Sequence, residues 1–127
     1  MRKKANAVPI EARDPTLALA HEALEVIEGK KAEDIVLLDV REVATFTDYF
    51  IVCSAGSERQ LKAIVESAQQ FFRARRKRAV ASEGQAESGW VLLDAGSIIV
   101  HVFTPEVRAF YALEELWRDA PRLVKIQ

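Results

Sequence analysis

A chain of 127 residues is long enough for one domain with its own core and too short for two. Half of its residues are apolar, which excludes a disordered polymer, and a formal net charge of −1 excludes a global pull toward nucleic acid or membrane. The single cysteine, Cys53, excludes an internal disulfide, and one Cys with two His is a poor zinc set.

In chain order, residues 1–13 come first. They are basic but carry no hydrophobic core of a secretory signal, and Glu11 is foreign to a mitochondrial presequence. They read as a flexible N-terminal tail of a cytoplasmic protein. No apolar stretch approaches the roughly 20 residues of a membrane span. Asp14 is a good N-cap and Pro15 suits the first helical position, so a helix is predicted from there. Leu17, Ala20, Leu24 and Ile27 recur at helical spacing, and Gly29 supplies a stop. Residues 35–40 and 49–53 are short, dense apolar runs, the pattern of strands buried on both faces with helices covering both sides.

Ser57 and Gln60 have capping-box spacing and open a second helix with an apolar stripe at Leu61, Ile64, Val65, Ala68 and Phe72. Residues 79–81 read as a weak edge strand. Residues 90–94 and 98–103 read as strands joined by a hairpin at Ala95-Gly96. Thr104-Pro105 then opens one last helix, with a stripe at Ala109, Ala112, Leu113 and Leu116 and Pro121 as its end. The expected fold is an α/β single domain over residues 14–120, with a mixed, roughly five-stranded sheet flanked by helices. Residues 121–127 are read as a C-terminal tail.

Few residues offer catalysis. His101 lies mid-strand between valines with no evident nucleophile or carboxylate beside it, and reads as a core histidine. Cys53 sits among apolar neighbours that hold a thiol inert. Gly56-Ser57 at a helix start could cradle a phosphate, as in nucleotidyltransferases. Such enzymes need paired acids on the following strands for magnesium, and none are present. The capping role is preferred, and neither a catalytic residue, a metal site nor a cofactor is expected.

Binding is better represented. Arg73, Arg75, Arg76, Lys77 and Arg78 form a basic run that either complements the helix dipole or contacts RNA phosphates. No aromatic interleaves within it, so base stacking is not indicated. Glu83 and Glu87 precede Trp90, and Asp94 and Glu114 follow. Acids around an aromatic suit a basic protein partner, and equally a Trp90 that packs in the core with acids that keep the loops soluble; periodicity does not decide between the two. Along a strand Trp90, Leu92 and Asp94 share one face, while Val91 and Leu93 share the other.

Several blocks together resemble the ribosomal silencing factor, or Iojap, family. They are Thr47-Asp48-Tyr49-Phe50, Ser54-Ala55-Gly56-Ser57-Glu58-Arg59-Gln60, Glu83-Gly84, Gly89-Trp90-Val91-Leu92-Leu93-Asp94 and Val100-His101-Val102-Phe103, then Arg108 to Trp117. The resemblance implies a nucleotidyltransferase-like fold without the catalytic acids, in a protein that is not an enzyme. It implies binding to the large ribosomal subunit through its protein numbered fourteen, a block on joining of the small subunit, and lowered translation when nutrients are short. It also implies a homodimer. Glu83, Trp90, Leu92, Asp94, Tyr111 and Glu114 are the partner-binding candidates on this reading. The alternatives are a small nucleotidyltransferase using Gly56-Ser57, and an assembly factor touching ribosomal RNA through the basic run.

Overall fold

The computed structural model describes residues 14–76 and 80–127, with the side chain of Arg76 left aside. The tail reading of residues 1–13, and Lys77 and Arg78 of the basic run, lie outside the described residues. The elements are α1 (Pro15–Gly29), β1 (Glu33–Asp39), β2 (Tyr49–Ser54), α2 (Glu58–Arg76), β3 (Ala81–Glu83) and a 3-10 turn (Ala86–Ser88). They continue with β4 (Trp90–Asp94), β5 (Ile98–Phe103), α3 (Pro105–Tyr111), α4 (Leu113–Leu116) and β6 (Arg122–Ile126). One sheet runs β3-β4-β5-β2-β1-β6. Only the β2–β5 pair in it is parallel.

The sequence accounts for most of this. Asp14 Oδ1 accepts from the Leu17 amide at 2.9 Å, and Pro15 follows at the first helical position. Asp14 Oδ2 also accepts from the Tyr49 hydroxyl at 2.5 Å, which ties the start of α1 to β2. At α2, Ser57 Oγ accepts from the Gln60 amide. Gln60 reaches back to the Gly56 amide rather than that of Ser57, and its side-chain nitrogen donates to the carbonyls of Lys30 and Lys31. The cap therefore also fastens the α1–β1 loop.

Three expectations need correction. The sheet has six strands, because Arg122–Ile126, read as a tail, pairs antiparallel with β1. The last helix is two short ones, broken at Ala112, whose φ is +47°. Its expected stripe is not core: Ala109 and Leu116 are exposed, and Leu113 is the one buried member.

The third correction concerns the layers. Alternation along each strand sends Ile51, Cys53, Leu93, Val100 and Val102 to one face of the sheet, where α1 and α2 cover them with Leu24, Ile27, Leu61, Ile64 and Phe72. Val52, Phe50, Ile99 and Phe103 point to the other face. There the cover comes from Leu113, Ala120, Val107, Trp117 and the 41–48 loop, not from a long helix. Part of that face is left open.

Cys53 lies on the helix-covered side with no exposed surface, and burial pushes its thiol up to about 12. Alkylation of the native protein at mildly alkaline pH is therefore expected to be on the order of a hundredfold or more slower than alkylation of the unfolded chain. Equal rates in the two states would show the thiol to be accessible and reactive.

Candidate partner-binding face

The open part of the second face centres on β4. Register sets its layout: Glu83 pairs with Leu92, Leu92 with His101, and Trp90 with Phe103. Trp90, Leu92 and Asp94 are half-buried while Val91 and Leu93 are buried, so the expected alternation holds. The Trp90 ring stacks on Phe103 at 5.0 Å between centroids and meets Tyr111 at 4.8 Å. Glu83, Gly84, Ser88, Trp90, Leu92 and Tyr111 line a groove of ≈ 270 Å³. Beside it, Tyr111 is 52% exposed and Phe110 is 79% exposed.

His101 supports this face from beneath. Trp90 Nε1 donates to His101 Nδ1 at 3.3 Å, which leaves the neutral proton on Nε2. That Nε2 is buried and has no hydrogen-bond partner among the described residues. Burial lowers the imidazole's pKa to about 4, so it is neutral and able to accept from Trp90 at neutral pH.

The six candidates are not all equivalent. Glu83, Trp90, Leu92 and Tyr111 meet at the groove. Asp94 lies on the same strand face, but its Oδ1 accepts from the Gly96 amide at 2.8 Å and so holds the hairpin turn. Glu114 is drawn into a neighbouring cleft by Arg108, which donates to both of its oxygens at 2.9 and 2.7 Å. That pairing holds the Glu114 carboxyl below its usual range. Arg108 was not among the sequence candidates. Its sequence signal is its place at the start of the Arg108 to Trp117 block; the six-residue spacing to Glu114 gives none, because a continuous helix would hold the two apart.

The family model for a ribosomal silencing factor during starvation matches residues 13–127. The chain belongs to the ribosomal silencing factor family. It is 42% identical over 99 residues to a ribosomal silencing factor of Chromobacterium violaceum, covering 78% of this chain and 79% of that one. Identity to the factor of Bacillus subtilis is 37% over 99 residues, 78% of this chain and 84% of the relative. The mouse protein named for mitochondrial assembly of the ribosomal large subunit is 32% identical over 97 residues, 74% of this chain and 42% of that one. A crystal structure from Chromobacterium violaceum superposes with a TM-score of 0.74 at 35% identity, over 80% of this chain and 84% of that one. These relatives carry the names of regulatory and assembly proteins rather than of enzymes.

The other candidate positions lie away from the groove. Gly56 and Ser57 are engaged in the α2 cap. Among the described residues no group of three His, Cys, Asp or Glu could hold a metal ion, and no helix is long and apolar enough to cross a membrane. Arg73 and Arg75 are exposed on the helical layer, on the other side of the sheet from Trp90. Arg75 pairs with Glu22 of α1 and lies over the Phe71 ring, so part of its charge is already partnered.

Proposed function

We propose that the open face around Trp90 docks on the large ribosomal subunit, at its protein numbered fourteen, and so blocks joining of the small subunit and lowers translation when nutrients are short. One observation carries the reading. Glu83, Trp90, Leu92 and Tyr111 converge on one half-covered groove, whereas the opposite face of the same sheet is sealed by α1 and α2. An aromatic centre with acids at its edge suits a basic protein surface. Family membership supports the ribosome as the target, and the name of the mouse relative supports the large subunit. Steric blocking needs no chemistry, only an interface of roughly 1,600 Å² in total that competes with the small subunit.

The test is co-sedimentation with purified large subunits, followed by a subunit-joining assay. Trp90→Ala is expected to lose about 2 kcal/mol of binding, roughly thirtyfold in affinity. Glu83→Lys should slow association and alter its salt dependence. Glu83 is a cleaner charge reversal than Asp94, whose carboxylate also holds the hairpin turn. Both variants should fail to prevent joining. Wild-type binding by both folded variants would place the interface elsewhere on the molecule.

A further inference from the structure

Tyr111 closes the groove, yet little apolar burial holds the segment that carries it. Helix α3 has no buried residue, and α4 buries only Leu113. Between them Ala112 takes a left-handed conformation, φ +47° and ψ +49°, which an L-residue with a Cβ adopts at a cost. Something other than the core must therefore stabilise the break.

The guanidinium of Arg108 spans it. Its Nε and Nη2 donate to Glu114 beyond the break, at 2.9 and 2.7 Å. Its Nη1 donates to Ser54 Oγ at the end of β2 and to the Asp34 carbonyl in β1, each at 2.8 Å. Asp34 is itself left-handed, with φ +49°. The Arg108 side chain is only 12% exposed. In an unbroken helix, residues six apart point about 120° away from each other. The two-pronged contact with Glu114 therefore requires the break, and the break is favoured by the contact. One side chain thus ties the end of β2 and the left-handed Asp34 of β1 to Glu114, two residues beyond the break at Ala112.

We propose that Arg108 is a positioning residue of the binding face, locking the chain reversal at Ala112 and so holding Tyr111 against Trp90. Its consequence for partner binding rests on the reading of that face given above. A lysine cannot serve the same role, because a single ammonium lacks the planar fork that meets two carboxylate oxygens and two further acceptors at once.

The test pairs a structural readout with a functional one. The indole N–H resonance of Trp90, assigned by its loss in Trp90→Phe, reports the Tyr111 ring beside it. In Arg108→Lys this resonance is expected to move, and affinity for the large subunit to fall about tenfold or more as pre-organisation is lost. Adding Ala112→Gly, which makes the left-handed conformation easy, should return the resonance toward its wild-type position and recover part of the affinity. Glu114→Gln, which weakens one limb of the fork, should move the resonance in the same direction by less. An unmoved resonance in both Arg108→Lys and Glu114→Gln would overturn the proposal, as would a shift that Ala112→Gly fails to reverse. Should wild type not bind large subunits at all, the docking reading fails while the resonance still decides the role of Arg108.

Discussion

Gly84→Ala is expected to destabilise the protein by about 3 kcal/mol, the sum of backbone strain and a backbone clash. Gly84 has φ +93°, and a Cβ there would sit 2.4 Å from the Trp90 carbonyl oxygen. That oxygen belongs to strand backbone and cannot swing aside. Gly96→Ala separates the two contributions. Gly96 has φ +87°, but a Cβ added there meets nothing within 4 Å. It should lose only the strain, about 1 kcal/mol. Urea unfolding of both variants measures the difference. Because Gly84 directly follows Glu83 and crowds Trp90, the Gly84 variant should also spread the groove and weaken large-subunit binding. A Gly84→Ala protein no less stable than Gly96→Ala would show that the β3 edge yields freely and that the close approach is unimportant.

The same edge shows what can be read from sequence and what cannot. Period-two alternation correctly placed Trp90, Leu92 and Asp94 on one side, because strand geometry alone decides that. The cap residues Asp14, Ser57 and Gln60 were legible for a similar reason, since their partners lie within a few residues. The break at Ala112 was not. The residues around it continue a helical stripe, with no Gly or Pro to interrupt it. Arg108, which reaches Glu114 across the break, is anchored by Ser54 and Asp34, which are 54 and 74 positions away. The sixth strand was hidden likewise. Arg122 and Lys125 give Arg122–Ile126 the look of a solvated tail, yet charged residues are what an exposed edge strand tolerates. Glu83, Trp90, Leu92 and Tyr111 were named from sequence only as partner-binding candidates, and the groove they line is a finding of the structure. The diversion of Glu114 to Arg108 was not foreseen, because it depends on the same long-range contacts.

Acid is expected to weaken this fold through His101 before it does so through the carboxylates. His101 titrates at about 4 when folded, against about 6.5 for an unfolded imidazole. Between those values the unfolded chain takes up a proton that the native protein refuses. Stability therefore falls as pH drops from about 6.5 toward 4, and the contribution levels off below that. Integrated from pH 7 to pH 4.5, the loss is about 2 kcal/mol, and it approaches 3 kcal/mol in full. The cause is desolvation: Phe50 lies edge-on at 4.8 Å, Phe103 and Trp90 flank the ring, and a charged imidazole would have no compensating partner. Asp39 and Glu114 are held below the usual carboxylate range by hydrogen bonds from Arg41 and Arg108. Their contributions are lost as pH falls through roughly 4 and below, a lower window than that of His101. His101→Gln, which can still accept from the Trp90 indole, should flatten the stability profile between pH 7 and pH 4.5 and leave the lower part unchanged. Denaturant unfolding at fixed ionic strength across that range is the measurement. A wild-type profile parallel to that of His101→Gln would mean that His101 accepts its proton in the folded state.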